Sequence, residues 1–347
     1  MTEISPGVFT GLTRLADENG RFKMLAVDQR PPIENLVRDG RRAETADFED
    51  VVAIKRQLLE SLSPHSSAVL IDPQYLFPSS LDLVRRDTGL LITLEYDRFE
   101  ETSGGRRSSP IPDWSVSKIR MGGGDAVKVL AWYRPDAEPA IREHQEAFVE
   151  SVAKETSKHD IPFVFELLVY PLPGDDGHTT DYVEHPAKRS DHVIESVETF
   201  AHSRFGVDLF KLESPVSAAS IPPGETPDEL VDSFKALDNA AGRPWVVLSA
   251  GADQQTFRTI AGVAFESGAS GYLAGRAIWW DACVANFPDL EAMQRELDAS
   301  SAGYMAELND LTDRLATPWA KHRCWENGPS LSPAGDTFRR QYGSAAQ

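Results

Sequence analysis

Eight short apolar runs, rich in β-branched and aromatic residues, recur along this 347-residue chain and are separated mostly by helical patterns. Unbroken apolar runs, as opposed to alternating ones, are typical of strands buried on both faces, as in a parallel sheet. The runs cover residues 22–27, 68–71, 90–94, 126–131, 162–168, 207–212, 244–249 and 271–274. Strands that alternate with helices in this number predict a single-domain α/β fold, the (β/α)8 or TIM barrel.

The segments between the runs carry helix signatures. Thr226 suits an N-cap, Pro227 the first helical position, and Glu229 would complete a capping box. Gly268 suits the residue after a helix end. Apart from the helix that begins near residue 226, the predicted helices cover residues 48–62, 139–156, 257–267 and 289–300.

The alternative fold is a doubly wound open sheet. It is disfavoured because no Gly-x-Gly-x-x-Gly follows the first run, which ends in Asp28-Gln29-Arg30-Pro31-Pro32. We expect the barrel to occupy residues 1–317 and an irregular C-terminal extension to occupy residues 318–347. Residues 96–113 and 171–186 each follow a strand, so we expect them to be loops at the C-terminal face, where barrel enzymes carry their chemistry.

Composition excludes several classes of protein. The formal net charge is −19, which disfavours non-specific nucleic-acid binding, and no apolar run is long enough to cross a membrane. The two cysteines, Cys283 and Cys324, and the absence of a signal-peptide pattern predict a cytoplasmic protein without a disulfide scaffold. None of the eight histidines lies in a predicted strand, so we expect no metal and no cofactor. The default oligomer of such an enzyme is a homodimer.

Two lysines in strand runs carry the strongest chemical signal. Lys211 lies in run 207–212, and Lys128 lies in run 126–131. A buried ammonium tends to lose its proton, and a neutral amine can attack a ketone to form a Schiff base. Two nearby cations should lower each other's pKa, which would make one amine nucleophilic. The alternative is that both lysines form structural ion pairs.

Polar residues cluster at the C-terminal ends of the predicted strands, where a barrel would bring them together in one pocket. For any single carboxylate the alternative is a loop cap or an ion pair. The last two strands are followed by Ser249-Ala250-Gly251 and Gly275-Arg276, where barrels often bind phosphate through backbone N–H groups. The strand-end residues are Asp28, Gln29, Arg30, Asp72, Lys128, Glu166, Lys211, Glu213, Ser249, Gly251, Gly275 and Arg276.

These motifs occur in the order seen in a known family. They are Ala26-Val27-Asp28-Gln29-Arg30, Asp125-Ala126-Val127-Lys128, Phe165-Glu166-Leu167, Phe210-Lys211-Leu212-Glu213, Leu248-Ser249-Ala250-Gly251 and Ala274-Gly275-Arg276-Ala277-Ile278-Trp279. The chain resembles the tagatose 1,6-bisphosphate aldolases over residues 22–280. These are class I, Schiff-base-forming aldolases on a (β/α)8 barrel. Residues 24–30, 244–249 and 271–276 look at least as close to the related sulfofructose-phosphate aldolases, and residues 181–205 look closer to the tagatose branch.

The resemblance implies a role for each strand-end motif. Lys211 would be the Schiff-base lysine and Glu166 the general acid/base, with Lys128 and Asp28 assisting. The residues implied to bind substrate are Ser249, Gly251, Gly275 and Arg276 for the phosphate of the dihydroxyacetone phosphate half, Arg30 for the other anionic end, and Gln29.

The reaction implied is the metal-independent, reversible cleavage of a ketose bisphosphate such as tagatose 1,6-bisphosphate. The products would be dihydroxyacetone phosphate and glyceraldehyde 3-phosphate. The alternative substrate is sulfofructose phosphate, which would give sulfolactaldehyde. Alternatives of another class are a non-catalytic phosphosugar-binding barrel and a sugar-phosphate isomerase, and the isomerase leaves Lys211 without a role.

Overall fold

The computed structural model describes residues 3–175, 178–179, 185, 188–222 and 224–343. The strands in these residues are β1 (Phe22–Ala26), β2 (Ala68–Ile71), β3 (Gly89–Thr93), β4 (Glu100–Thr102), β5 (Gly105–Arg107), β6 (Ala126–Trp132), β7 (Phe163–Leu168), β8 (Leu209–Leu212), β9 (Trp245–Val247) and β10 (Gly271–Ala274). Eight of them form a closed barrel in the order β1-β2-β3-β6-β7-β8-β9-β10, and β10 pairs in parallel with β1. The (β/α)8 prediction is confirmed, because an open sheet would leave two edges unpaired.

Helices cover the outside of the barrel and one of its ends. Their bounds are α1 (Pro6–Leu15), α2 (Pro31–Arg41), α3 (Phe48–Leu62), α4 (Val116–Met121), α5 (Pro139–Lys158), α6 (Ser190–Phe200), α7 (Asp228–Ala241), α8 (Gln254–Glu266), α9 (Arg276–Asn286), α10 (Leu290–Glu296), α11 (Ala302–Leu315) and α12 (Asp336–Gln341). A π-helical stretch, Leu297–Ser301, joins α10 to α11. Among the described residues, every helix is too short or too polar to cross a lipid bilayer.

Local sequence explains most helix bounds. Asp47 caps α3 by accepting hydrogen bonds from the N–H groups of Glu49 and Asp50, at 3.0 and 3.1 Å. The capping box predicted for α7 is wrong, because Pro227 is the N-cap in extended conformation and no side chain caps the helix. The prediction also missed α9, which begins directly after β10.

The barrel interior near the N-terminal ends of its strands is an apolar core. Two elements close this end of the barrel. They are α1, through Leu12 and Leu15, and the segment after α11, through Trp319 and Trp325. Fully burying such side chains stabilises a fold by about 1.5–3 kcal/mol each. The inward-facing strand residues of this core are Phe22, Met24, Ala26, Ala68, Leu70, Leu91, Ala126, Val164, Leu209, Val246 and Leu273.

The C-terminal segment, predicted as an irregular extension, packs against the closed end of the barrel. Trp319 and Trp325 pack edge to face at 6.3 Å, and the indole of Trp325 donates a hydrogen bond to the carbonyl of Trp319 at 3.0 Å. The N–H of Ile4 bonds to the carbonyl of Ser330 at 2.9 Å. The described tail ends in α12 and two further residues, Tyr342 and Gly343. The boundary between residues 317 and 318 stays a prediction.

The loop predicted over residues 96–113 contains the antiparallel hairpin β4–β5. Its Arg106 guanidinium lies over three aromatic rings, at 4.4 Å from Phe99, 4.5 Å from Trp132 and 4.8 Å from Tyr170. The hairpin is thereby tied to the ends of β6 and β7. Part of the second loop, residues 176–177, 180–184 and 186–187, lies outside the described residues.

Candidate active site

A pocket with about 750 Å³ of empty space opens at the C-terminal ends of the barrel strands. All but one of the ten substrate-site and catalytic residues predicted from the sequence line it. The exception is Gly251, which lies in an adjoining groove beside Arg276. The predicted residues that line the pocket are Asp28, Gln29, Arg30, Lys128, Glu166, Lys211, Ser249, Gly275 and Arg276.

The centre of the pocket is a pair of lysines that share one carboxylate. Oε2 of Glu166 lies 2.9 Å from Nζ of Lys211 and 2.8 Å from Nζ of Lys128. The parallel register of β7 and β8 pairs Glu166 with Lys211, so both side chains project to the same side of the sheet. A proton can therefore pass between the amine of Lys211 and the carboxylate without movement of the backbone.

Lys128 is surrounded by acidic groups. Its Nζ lies 2.8 Å from Asp28, 2.5 Å from Glu95 and 2.8 Å from Glu166. Burial alone would lower the pKa of Lys128, but these carboxylates outweigh it and hold the pKa well above its ordinary value. The expectation that the two lysines lower each other's pKa is therefore wrong for Lys128, which stays a permanent ammonium.

The positive charges of the two lysines set the protonation state of Asp28 and Glu166. Burial would raise the pKa of Asp28 and of Glu166, but the positive charges of Lys128 and Lys211 lower both below their ordinary values. At neutral pH both are carboxylates. Glu166 is thus ready to act as a base, while Lys128 provides a fixed positive charge beside it.

Glu95 and Asp97 belong to the pocket but were missed from the sequence. Glu95 accepts a hydrogen bond from the hydroxyl of Thr93 at 2.6 Å and binds Lys128. Both acidic residues follow β3, so the rule that found the other strand-end residues would have found them too.

Arg30 lies on the same wall of the pocket. Its Nη1 donates hydrogen bonds to the carbonyl of Glu95 at 3.2 Å and to Oε1 of Gln74 at 3.1 Å. Nη2 lies 3.6 Å from the Glu95 carboxylate. These acceptors hold the guanidinium of Arg30 in a fixed position, and the residue is buried at about 3% exposure.

Two predicted strand-end residues have other partners. Asp72 does not converge on the pocket, because its carboxylate faces α3 and pairs with Lys55. Glu213 lines the pocket, but its carboxylate accepts hydrogen bonds from the N–H of Val169 at 2.7 Å and from Lys188 at 2.8 Å. Asp72 therefore belongs to a structural ion pair. Glu213 is largely occupied by a backbone N–H group and an ion pair, as the alternative interpretation of the strand-end carboxylates predicted.

The segments after β9 and β10 form one wall suited to an anion. Gly275 is the N-cap of α9 and Arg276 its first residue, so the unpaired N–H groups of this helix begin at the pocket. A methyl group on Gly275 would come within 2.5 Å of the carbonyl of Ala26, so only glycine fits there. Gly251 has a φ of +89°, and a methyl group placed on it would lie 3.5 Å from the Arg276 guanidinium, at van der Waals contact.

Residues 22–281 match a family described as DeoC/LacD family aldolase. This chain belongs to that family. It is therefore an aldolase, a carbon–carbon lyase. Among the described residues of this DeoC/LacD aldolase, no group of three or more His, Cys, Asp and Glu side chains is arranged to hold a metal ion.

Its relatives cover almost the whole chain. The tagatose 1,6-diphosphate aldolase of Listeria monocytogenes strain HCC23 is 32% identical over 329 residues, which is 92% of this chain and 95% of the relative. The enzyme of the same name from Streptococcus pneumoniae is 33% identical over 319 residues, covering 89% and 96%.

Solved structures share the fold of this DeoC/LacD aldolase. The fructose-bisphosphate aldolase of Plasmodium falciparum superposes with a TM-score of 0.63 at 12% identity, covering 91% of this chain and 98% of the other. A Schiff-base-forming fructose-1,6-bisphosphate aldolase superposes with a TM-score of 0.53 at 14% identity, covering 87% and 98%.

Proposed function

We propose that this aldolase is a class I enzyme that cleaves a ketose 1,6-bisphosphate through a Schiff base on Lys211, with tagatose 1,6-bisphosphate as its substrate. The observation that carries the proposal is the contact of 2.9 Å between Lys211 and Glu166 inside the pocket. The name shared by relatives about one third identical supports the choice of substrate.

The reaction begins within the Lys211–Glu166 pair. Glu166 takes a proton from the Lys211 ammonium, and the neutral amine attacks the C2 ketone of the open-chain sugar. A proton moves from nitrogen to oxygen to give a carbinolamine. Glu166 then returns its proton to the C2 hydroxyl, which leaves as water, and an iminium ion remains. The fixed charge of Lys128 stabilises the oxyanion that develops at C2.

Carbon–carbon bond cleavage uses the same carboxylate. Glu166 removes the proton of the C4 hydroxyl, the C3–C4 bond breaks, and its electrons flow into the iminium to form an enamine. The aldehyde half leaves as glyceraldehyde 3-phosphate. Glu166 reprotonates the enamine at C3, and water hydrolyses the iminium to release dihydroxyacetone phosphate. A positioned acid/base of this kind typically contributes about 10²–10⁴-fold to the rate.

Two anion sites align the substrate. The C1 phosphate is bound by Arg276, Ser249 and the N–H groups at the start of α9, with Gly251 leaving space beside the guanidinium. Arg30, with Gln29 beside it, contacts the anionic group at C6. Because both ends are held, the reacting carbonyl lies in place next to Lys211.

The test is cleavage of tagatose 1,6-bisphosphate by enzyme dialysed against EDTA, followed by an enzymatic assay of dihydroxyacetone phosphate. We expect full activity in EDTA and a higher kcat/KM for tagatose 1,6-bisphosphate than for sulfofructose phosphate. Lys235→Met, at an exposed lysine, is the matched control for Lys211→Met, which should abolish turnover. Activity that is lost in EDTA and restored by Zn²⁺ would contradict the class I mechanism. A higher kcat/KM for sulfofructose phosphate would contradict the assignment of tagatose 1,6-bisphosphate as the substrate.

A further inference from the structure

Another buried lysine–carboxylate pair lies behind the active site, outside the pocket. Lys55 of α3 and Asp72 after β2 form an ion pair in which both side chains are 0% exposed. Burying two charges costs free energy that their attraction often fails to recover, so an apolar pair would usually serve stability as well. The location of this pair therefore requires an explanation other than stability.

Lys55 contacts the end of β1. Its Nζ donates a hydrogen bond of 2.9 Å to the carbonyl of Val27. The next residue is Asp28, whose carboxylate binds Lys128 at 2.8 Å. The ammonium of Lys55 thus fixes the peptide unit from which Asp28 projects into the pocket.

Asp72 fixes the neighbouring strand end. Its Oδ1 accepts hydrogen bonds from the N–H groups of Gln74 and Tyr75, at 3.0 and 2.8 Å. Oε1 of Gln74 in turn accepts a hydrogen bond from Arg30 at 3.1 Å. The turn organised by Asp72 therefore supplies one of the acceptors that orient the Arg30 guanidinium.

We propose that Lys55 and Asp72 are positioning residues for the aldolase reaction. In this ion pair, Lys55 contacts the carbonyl of Val27, and Asp72 contacts the turn that contains Gln74. It thereby fixes Asp28 and Arg30 relative to each other. The inference rests on the proposed function, because that function assigns Asp28 and Arg30 to the pocket chemistry.

The effect on the reaction follows from the distances. Asp28 holds Lys128 in place, and Lys128 holds Glu166, so a shift at Val27 passes to the general acid/base. Misplacement of reacting groups by about 1 Å can cost about 100-fold in rate. The C1 phosphate site after β9 and β10 makes none of these contacts, so affinity for that end of the substrate should change little.

The experiment compares the double variant Lys55→Met/Asp72→Asn with Lys23→Met. The double variant removes both charges but keeps an oxygen acceptor for the turn. Lys23 lies in the same strand, β1, at the opposite end of the barrel and pairs with Asp17 at 2.9 Å and Asp313 at 2.7 Å. Activity, borohydride adduct formation with dihydroxyacetone phosphate, and urea unfolding are measured for each.

We expect the double variant to lose at least about tenfold in kcat at a temperature where it is folded. KM should change less than about threefold, because Asp72→Asn keeps the acceptor for the turn whose Gln74 orients Arg30. Lys23→Met should keep the kcat of the wild type. The single variant Lys55→Arg, which keeps the positive charge, should retain more of the wild-type kcat than the double variant does. A folded double variant with the kcat of Lys23→Met would overturn the inference.

Two further outcomes are decisive. If the double variant does not fold, Asp72→Asn alone is measured in the same way, and an unchanged kcat overturns the inference. If the wild type forms no adduct at Lys211, the proposed function fails, and this result is independent of the comparison between variants.

Discussion

Replacing Lys128 with methionine removes the ammonium on which the acidic groups of the pocket converge. Asp28, Glu95 and Glu166 all lie within 2.8 Å of its Nζ. Methionine has nearly the same length and fills the space without charge. We expect a folded protein of much lower stability with little or no turnover.

The magnitude follows from which carboxylates keep a partner. Glu166 retains Lys211 at 2.9 Å, and Glu95 retains Arg30 at 3.6 Å. Asp28, which is 5% exposed, loses the ion pair that the structure gives it. Leaving one buried charge without its partner costs about 3–5 kcal/mol.

The pH dependence has a definite sign. In the wild type the pKa of Asp28 is depressed, so its contribution to stability is present above the ordinary value of 3.8 and is lost as pH falls through the folded-state pKa. Loss of Lys128 removes the largest of the charges that lower this pKa, so the pKa of Asp28 should rise. Asp28 should then destabilise the variant at neutral pH, and less so as it becomes protonated. The difference in unfolding free energy between the two proteins should therefore narrow from pH 7 to pH 4.

The assay is urea unfolding at pH 7, 5.5 and 4, with Lys154→Met as the control. Lys154 pairs with Glu150 on the surface of α5 and is 72% exposed, so its loss should leave the unfolding free energy unchanged within error. The reasoning would be refuted if Lys128→Met were as stable as Lys154→Met at pH 7. It would also be refuted if the difference in unfolding free energy between wild type and Lys128→Met did not change with pH.

Three further predictions concern separate parts of the molecule. Arg276→Ala should raise KM at least about tenfold with a smaller effect on kcat, since it removes binding of a phosphate that does not react; the reverse split in steady-state kinetics would contradict this role. The kcat/KM profile should stay level down to about pH 5, because the pKa of Glu166 is lowered below its ordinary 4.5, and an acid limb near pH 6 would be inconsistent with this. Trp325→Ala should destabilise the fold by about 3–5 kcal/mol while leaving KM unchanged where folded, and a urea midpoint equal to that of wild type would refute the role of the tail.

The barrel could be predicted because its strands are marked locally. Residues 68–71 and 271–274 were predicted as strands with the bounds that the structure gives to β2 and β10. An apolar run buried on both faces needs no knowledge of its partners to be recognised. α1 was missed because its apolar face fits only the closed end of the finished barrel.

The pocket at the strand ends could be predicted for a similar reason. Parallel strands bring their C-terminal ends to one face, so Lys128, Glu166 and Lys211 had to lie near one another. Asp72 could not be assigned, because the side of the barrel that it faces depends on where β2 ends. The protonation of Lys128 depends on the distances to three carboxylates, one of them Glu95, and these distances exist only in the folded structure.

Borohydride trapping tests the central claim most directly. The enzyme is treated with borohydride in the presence of dihydroxyacetone phosphate, so that any Schiff base is reduced to a stable amine. The protein is then digested and mapped by peptide mass spectrometry, with Lys211→Met treated in parallel. A Schiff base at Lys211 predicts a reduced adduct on the peptide that contains this residue and none in the variant. An enzyme that binds dihydroxyacetone phosphate but gives no adduct, or one that carries the adduct on Lys128, would contradict the account.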